Sequence, residues 1–176
     1  MKKYLYMIAA LFGIDYFCKE NIEAQKPEDF PRDMEKSHGK IRLYRNHNDG
    51  FCFGVKKEKK ELVRMVPVVF TSAAAGILTW LLCRDEGRKA DRIGFALITA
   101  GGLSNLYDRL KRGYVVDYFS IRCKYLEKVV FNLGDFFIFA GSALIAASDL
   151  LGAVRDLSSP SEDHIKAFRL PWRKTD

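Results

Sequence analysis

Apolar residues along this chain of 176 residues collect in four long stretches, and the charged residues collect between them. The clearest stretch covers residues 62–83 and carries one charge, Arg64, near one end, where a long side chain can reach the membrane interface. About 20 apolar residues are enough for a helix to cross the hydrocarbon core of a bilayer. The pattern therefore predicts a membrane-spanning helix here and three more, at about residues 4–18, 93–110 and 131–152.

The first stretch follows Lys2 and Lys3, a pattern that also describes a cleavable signal peptide. Two features argue against cleavage: Asp15 interrupts the end of the run, and no small-x-small site follows it promptly. Cys18 is a poor candidate for lipid attachment because the bulky Phe17 precedes it. We therefore expect an uncleaved first span.

The segments between the stretches are polar. Residues 40–45 alternate between polar and apolar, which predicts a short strand, and residues 111–128 read as a charged connection. A soluble protein with buried core helices is the alternative to a membrane protein. The second and fourth stretches disfavour it, because each is apolar nearly all round, whereas a half-exposed helix is apolar on one face only.

The chain has a formal net charge of +7, which suits nucleic acid, anionic lipid or plain solubility. No arginine-rich helix or aromatic–basic repeat points to nucleic acid, so contact with anionic lipid headgroups is favoured. None of the four cysteines forms a C-x-x-C pair, so no zinc or redox motif is indicated, and we expect no metal and no cofactor. Basic residues are numerous on both sides of the predicted spans, so charge alone does not decide the topology.

Four aspartates lie in or beside the predicted spans: Asp15, Asp108, Asp117 and Asp135. An ionised carboxylate at mid-span costs about 2.5–3.5 kcal/mol, so such residues tend to face other helices and to have a function. Asp117 and Asp135 would lie on the same side of the membrane if the third and fourth helices are antiparallel neighbours. Two close carboxylates hold one shared proton, and such a pair can hydrolyse a peptide bond by acid–base chemistry. Helix packing and an ion relay are the other roles open to them at this point.

Short motifs surround these aspartates. They read DYFCK from Asp15, NDGFCFG from Asn48, GGLSNLYDR from Gly101, GYVVDY from Gly113 and FNLGD from Phe131. The five blocks closely resemble the signature blocks of signal peptidase II, the bacterial lipoprotein signal peptidase family. The resemblance runs in order over residues 4–152, and five blocks at compatible spacing are far more specific than any one of them.

This resemblance implies an all-α membrane protein with four transmembrane helices, both termini in the cytoplasm, and a small extracytoplasmic β-rich cradle at about residues 22–55. The protease domain would cover residues 1–154, and residues 155–176 would form a cytoplasmic tail. The implied location is the bacterial inner (cytoplasmic) membrane, which the protein would cross several times, and we expect a monomer.

The resemblance also implies roles for individual residues. Asp117 and Asp135 match the catalytic pair. The positions that match substrate-binding residues are Asn48, Asn105, Arg109 and Asn132. Those that match structural or supporting residues are Asp15, Lys19 and Asp108. Hydrogen bonding between helices is the alternative role for the asparagines. Gly101 and Gly102 are expected only to permit close approach of two helices.

The implied activity is that of an aspartic endopeptidase that removes the signal peptide from a diacylglyceryl-modified prolipoprotein, cleaving before the lipidated cysteine. That substrate and membrane lipid would be the partners, with no nucleic acid. Several aromatic residues are expected either to line a groove for acyl chains or to pack in the core and at the interface: Phe51, Phe53, Tyr118, Phe119, Phe136 and Phe137. The alternative functions are a non-catalytic or specialised paralogue that binds lipoproteins or other membrane substrates, and a small ion or proton carrier.

Some positions depart from the family pattern. Phe51 and Cys52 stand where small residues are usual, which would narrow the mouth of the site. Gly134 replaces the usual alanine and is expected to loosen the start of the fourth helix. These departures, with the charged insert at about residues 20–36 and the charge run at 56–61, would suit a narrower or different substrate.

Overall fold

The computed structural model describes residues 1–50, 60–84 and 87–158. Most of them belong to four helices: α1 (Lys2–Glu23), α2 (Lys60–Cys83), α3 (Lys89–Lys111) and α4 (Leu133–Ser158). A 3-10 turn at Pro27–Asp29 follows α1, and three strands form one small sheet: β1 (Arg32–Asp33), β2 (Ile41–Asn48) and β3 (Val115–Ile121). The protein is therefore mostly helical, with a small antiparallel sheet.

Each predicted span corresponds to one helix. The second helix ends at Cys83, where the apolar stretch ends. Helix α1 continues past Asp15 to Glu23, so Asp15 interrupts the apolar run but not the helix. Helix α4 begins at Leu133, two residues later than the apolar pattern predicts. The reason is Asn132, whose side chain accepts a hydrogen bond from the backbone of the first turn, as residues at helix N-termini commonly do.

Two helices in the described part of the chain are long and apolar enough to cross a membrane, at Met65–Cys83 and Leu133–Arg155. Both expose large apolar side chains: Val69, Phe70, Trp80, Phe139, Leu150 and Leu151. Soluble proteins rarely expose an apolar surface of this extent, whereas lipid covers it without cost. Helices α1 and α3 are less apolar because they carry ionisable residues that are buried between them, as described below.

The sheet has the order β1-β2-β3, and β2 pairs antiparallel with both neighbours. Strand β2 confirms the strand predicted at residues 40–45. Strand β3 lies in the segment that was expected to be a charged connection, so the predicted cradle at residues 22–55 is incomplete without it. Residues 115–118 are all buried, and a strand that is buried on both faces shows no alternation of polar and apolar residues.

Helices α3 and α4 pack with their backbones in contact through pairs of glycines. A Cβ atom added to Gly101 would lie 2.1 Å from the carbonyl oxygen of Gly134. A Cβ added to Gly94 would lie 2.9 Å from the carbonyl oxygen of Gly141, and one added to Gly141 would lie 2.5 Å from that of Gly94. Small residues let membrane helices approach this closely. The expected role of Gly101 in close helix approach is thus confirmed.

Gly102 and Gly134 have similar roles. A Cβ added to Gly102 would lie 2.6 Å from the hydroxyl oxygen of Thr71 in α2, which confirms the expected role of Gly102. A Cβ added to Gly134 would lie 2.9 Å from Oδ1 of Asn132 and 3.1 Å from Oδ2 of Asp15. Gly134 thus makes room for polar groups at the start of α4, and the expectation that it loosens this start stays a prediction.

Arg88 joins the start of α3 to the end of α4. Its backbone N–H donates to Asp91 at 3.1 Å, and its guanidinium donates to the Ser148 carbonyl oxygen at 2.6 Å and to Asp149. The sheet lies at the other end of these helices, because β3 follows α3 and the start of α4 lies beside β3. The molecule thus has a sheet end and an Arg88 end.

Candidate active site

Asp117 and Asp135 are brought together by Asn132. Asp117 lies in the middle of β3 with 3% of its surface exposed, and Asp135 is the third residue of α4. The side-chain amide of Asn132 donates to Oδ1 of Asp117 at 2.8 Å, and its backbone N–H donates to Oδ2 of Asp135 at 3.2 Å. The backbone N–H of Asp135 donates in return to Oδ1 of Asn132 at 2.9 Å. One fully buried residue therefore contacts both carboxylates.

Each carboxylate accepts a second hydrogen bond from another asparagine. Asn48, at the end of β2, donates from Nδ2 to Oδ2 of Asp117 at 2.9 Å. Asn105, in α3, donates from Nδ2 to Oδ1 of Asp135 at 2.8 Å. Side-chain amides suit this position because they offer N–H donors to an ionised carboxylate. The three predicted asparagines thus contact the two aspartates directly.

Arg109 lies one helical turn after Asn105. Its guanidinium donates to the carbonyl oxygen of Gly50 at 3.0 Å and to that of Asn105 at 3.4 Å. Both contacts hold it beside the aspartates, at the edge of the cavity described below. A permanent positive charge in this place can hold a carbonyl oxygen or pair with a carboxylate.

A buried ion cluster lies behind Asn105. The ammonium of Lys19 lies 2.8 Å from Asp15 and 3.2 Å from Asp108, and both carboxylates are almost inaccessible to solvent. The same ammonium donates to Ser104 at 3.1 Å and to Oδ1 of Asn105 at 2.9 Å. Four acceptors therefore surround a cation that would otherwise be costly to bury. The three predicted supporting residues, Asp15, Lys19 and Asp108, form one group.

Asp15 connects α1 to the start of α4. Its carboxylate accepts hydrogen bonds from the Ser104 hydroxyl at 2.6 Å, from the Tyr118 hydroxyl at 3.0 Å and from the backbone N–H of Leu133 at 3.1 Å. Burial raises the pKa of the Tyr118 hydroxyl above its ordinary value, so this group stays protonated and donates. The Leu133 N–H is one of the free donors at a helix N-terminus, and Asp15 satisfies it from another helix.

Asp108 has a second cation on its other side. The Arg112 guanidinium lies 3.1 Å from one of its carboxylate oxygens and donates to Glu20 at 2.6 Å. The backbone N–H of Val116 donates to the other oxygen at 3.1 Å. Asp108 thus holds the start of β3 through Val116, the residue directly before Asp117. Ser104, Tyr118 and Arg112 also belong to this cluster, and no motif or pattern in the sequence predicted their contacts.

The environment of Asp117 favours its protonated form. Burial, and then the charge of Asp135, raise the pKa of Asp117 to about 7, against the opposing effect of the Asn48 and Asn132 hydrogen bonds. Two neighbouring carboxylates titrate as a pair, and one of them keeps a proton after the other has ionised. While the pair holds one proton, the site contains both a carboxylate and a carboxylic acid.

An apolar cavity of about 570 Å³ opens between α2, α3 and α4, and both aspartates lie in its wall with Asn48, Asn105 and Arg109. The aromatic residues in the wall are Phe70, Phe95, Phe131 and Phe139. The aromatic residues expected from the sequence are not in this wall: Tyr118 and Phe119 pack in a core cluster with Ile22 and Val116, and the Phe136 ring contacts that of Phe119 at a tilt of 48°. Phe51, Cys52 and Phe53 lie outside the described residues, so their expected effect on the mouth of the site stays a prediction.

In the described ranges 1–50, 60–84 and 87–158, no group of three or more histidine, cysteine, aspartate or glutamate side chains is arranged to hold a metal ion.

Comparison with known proteins gives consistent matches. A family model described as signal peptidase (SPase) II matches residues 7–151. The lipoprotein signal peptidase of Mesorhizobium japonicum is 30% identical over 157 residues, which cover 89% of this chain and 90% of that protein. The lipoprotein signal peptidase of Brucella ovis is 34% identical over 116 residues, which cover 66% of this chain and 71% of that protein.

Two solved structures of bacterial membrane enzymes, both determined by the in meso method, share the fold. The first has a TM-score of 0.72 and 19% identity, and the match covers 92% of this chain and 93% of that one. The second has a TM-score of 0.69 and 19% identity, with 85% and 94% covered. Since the family match spans most of the chain and includes both aspartates and all three asparagines, the chain belongs to the signal peptidase II family.

Proposed function

We propose that this protein is an intramembrane aspartic endopeptidase that removes the signal peptide from diacylglyceryl-modified prolipoproteins, cleaving before the lipidated cysteine. The observation that carries this proposal is the position of Asp117 and Asp135. Both lie in the wall of an apolar cavity, and Asn132 holds them together. Membership of the signal peptidase II family and similarity to lipoprotein signal peptidases support it.

In the proposed reaction, the ionised aspartate takes a proton from a water molecule, which attacks the carbonyl carbon of the scissile peptide bond. The protonated aspartate donates its proton to the carbonyl oxygen. The tetrahedral intermediate then breaks its C–N bond: the amine of the lipidated cysteine leaves with the proton that came from water, and one hydroxyl of the intermediate returns its proton to the other aspartate as the carboxylic acid forms. The two carboxyl groups end with one proton between them, as they began, so no cofactor is required.

The cavity suits a substrate that has both a peptide and acyl chains. Its wall is mostly aliphatic and aromatic, and its charged and amide side chains are gathered at the aspartates. Acyl chains in the apolar part would place the modified cysteine, and the peptide bond before it, near the aspartates. A carrier of ions fits less well, because the centres of α2 and α4 carry no charged side chain.

We further propose that all four helices cross the bacterial inner membrane, with the sheet end outside and the Arg88 end in the cytoplasm. Helices α2 and α4 are apolar enough by themselves. Helices α1 and α3 would be acceptable to lipid because their ionised residues face each other in the cluster of Lys19, Asp15 and Asp108. The protease domain would cover residues 1–154, and the tail would remain in the cytoplasm. The proposed partners are the prolipoprotein and membrane lipid, with the protein as a monomer.

The deciding experiment measures cleavage of a diacylglyceryl-modified precursor by purified protein in lipid or detergent. We expect cleavage by the wild-type protein and none by Asp117→Asn or Asp135→Asn, because each variant lacks one of the two carboxyl groups that the reaction needs. Asp33→Asn is the matched control: Asp33 lies in the sheet with its side chain half exposed, and its variant should cleave normally. A precursor without the diacylglyceryl group should be a poor substrate.

Cleavage that persists in either variant would disprove the role of the pair. If the folded wild-type protein cleaves none of several precursors but still binds them, the non-catalytic paralogue is the better description.

A further inference from the structure

Asn105 lies between the buried ion cluster and the aspartates. Its Oδ1 accepts from the ammonium of Lys19 at 2.9 Å, and its Nδ2 donates to Oδ1 of Asp135 at 2.8 Å. A lysine ammonium has three donors and no acceptor, so only the amide oxygen of Asn105 can face it. The amide nitrogen must then face Asp135. Lys19 thus sets the orientation of this amide whether Asp135 is ionised or protonated.

This orientation matters because the two ends of an amide have opposite preferences. An N–H donor stabilises an ionised carboxylate, whereas an amide oxygen in the same place would require a protonated one. Without Lys19, the Asn105 amide could rotate by half a turn and present Oδ1 to Asp135 instead. Lys19 therefore disfavours the arrangement in which Asp135 carries the shared proton on the oxygen that faces Asn105.

The two aspartates differ in the groups around them. Each accepts two N–H donors, so the number of hydrogen bonds does not distinguish them. Asp135, however, lies in the first turn of α4, where the helix dipole favours a negative charge. Asp117 lies on a strand and has no such help. The cation behind Asn105 and the helix start both favour the charge on Asp135.

We propose that Lys19 is a positioning residue which, through Asn105, keeps Asp135 as the ionised member of the pair and leaves the shared proton on Asp117. This inference rests on the proposed function for its consequence: Asp135 would accept the proton from water, and Asp117 would protonate the carbonyl oxygen. The preference for the protonated form at Asp117 agrees with it.

The other charged groups around Asp135 come from three elements: Asp15 from α1, Asp108 and Arg109 from α3, and Asp117 from β3. The residues that α2 contributes to the cavity wall are uncharged. Lys19 and Arg112 balance the charges of Asp15 and Asp108, so removal of Lys19 also leaves a buried excess of negative charge. The freed orientation of the Asn105 amide and the excess negative charge both raise the pH at which Asp135 is half protonated.

Infrared titration tests the inference without any substrate. On an Asp117→Asn background, the band of protonated carboxyl groups is followed against pH, and the same titration of Asp117→Asn/Asp135→Asn is subtracted to isolate Asp135. We expect Lys19→Gln to raise the midpoint of Asp135 protonation by about one pH unit or more, because a glutamine has no charge and can accept as well as donate. Lys19→Arg, which can only donate, should stay within about half a unit of the parent.

Ser104→Ala separates this role from simple support of the fold. Ser104 contacts both Lys19 and Asp15 but neither of the two aspartates. Its variant should lower the unfolding temperature and leave the midpoint in place. An unchanged midpoint in folded Lys19→Gln would overturn the inference and reduce Lys19 to a structural residue.

If Lys19→Gln does not fold, Asn105→Ala on the same background removes the amide that joins Lys19 to Asp135. This variant should also raise the midpoint of Asp135 protonation. An unchanged midpoint would again overturn the inference. The titration does not depend on catalysis. A wild-type protein that cleaves no precursor would therefore refute the proposed function while the titration still decides the role of Lys19.

Discussion

Among single residues, Asn132 makes three hydrogen bonds to the two aspartates, and it does so from the position just before a helix. Its side chain reaches Asp117 on the strand, while its backbone is held by Asp135 in the first turn of α4. The residue that starts the helix therefore also sets the spacing of the two carboxyl groups. A helix N-terminus is a rigid place for such a task, because its backbone N–H groups have fixed directions.

The raised pKa of Asp117 predicts how cleavage depends on pH. Since this pKa is about 7, the pair should lose its shared proton as the pH rises through neutrality. We expect the rate of cleavage to fall above about pH 7, because the proton needed by the carbonyl oxygen is then missing. Initial rates measured from about pH 5 to pH 9 with a modified precursor would show this. A rate that stays constant at alkaline pH would contradict the assignment.

The same shift has a signature in stability that needs no substrate. An aspartate in the unfolded chain has a pKa of about 3.9, so the folded protein binds this proton more tightly. The stabilising contribution of Asp117 is fully present below about pH 4 and is lost as the pH rises through about 7. Compared with Asp117→Asn, which does not titrate here, the wild-type protein should become less stable over that range. The opposite trend in thermal unfolding would show that the pKa is not raised.

The site could be predicted from the sequence as a set of residues but not as a set of contacts. The motifs and their spacing predicted Asp117, Asp135 and the three asparagines as site residues. It could not show that Asn48 binds an aspartate 69 positions away, because such contacts depend on tertiary packing. Ser104 gave no signal, since a serine in an apolar helix is common. Tyr118 was expected in the acyl groove or in the core, and the structure places it in the core.

Among the helices and strands, the contact of α3 with α4 depends on glycines. We expect Gly101→Ala to destabilise the protein by about 1–3 kcal/mol, because its Cβ would lie 2.1 Å from a carbonyl oxygen that no side-chain rotation can move. Unfolding in mixed micelles with a denaturing detergent measures this difference.

Gly13→Ala is the matched control for that variant. Gly13 also lies within a helix, but a Cβ there would meet nothing within 4 Å. Its variant should differ from wild type by no more than about 1 kcal/mol, in the stabilising direction, since alanine favours helix more than glycine does. Equal effects of the two substitutions would mean that α3 and α4 are less closely packed than described.

Helices were easier to predict from the sequence than strands. Runs of apolar residues as long as a bilayer is thick indicate helices strongly, and all four helices were predicted, although α1 and α4 continue to Glu23 and Ser158, beyond their apolar runs. Strand β2 was predicted because its polar and apolar residues alternate along the sequence. Strand β3 is buried on both faces, and charged residues flank it in the sequence. Neither alternation nor an isolated apolar run therefore predicted it.

For the whole molecule, the cavity predicts where bulk should interfere with the substrate. Ala73 in α2 lies in the cavity wall, while its neighbour Ser72 does not, and both side chains are exposed. We expect Ala73→Trp to reduce cleavage of a modified precursor at least tenfold, because the ring would occupy space proposed for acyl chains, and Ser72→Trp to have little effect. Similar losses in both variants, or in neither, would argue against this cavity as the binding site.

The proposed topology can be tested with cysteines already in the chain. Cys83 ends α2 near the Arg88 end, and Cys123 follows β3 at the sheet end; both are exposed. After replacement of the other cysteines by serine, a membrane-impermeant maleimide added to intact spheroplasts should label Cys123 at once, and Cys83 only after the membrane is permeabilised. Labelling of both from the same side would rule out the four-span arrangement.

The buried ion cluster also bears on how the chain is made. Lys19 lies one turn after Asp15 within α1, and Arg112, directly after the last residue of α3, lies one turn after Asp108. Each of these two helices can therefore enter the bilayer as a locally neutral unit during synthesis, before the other has arrived. The contact between Lys19 and Asp108, which joins the two helices, would then form late in assembly. On this view the charges that make α1 and α3 look unsuited to a membrane are what guide the two helices to each other once they are inserted.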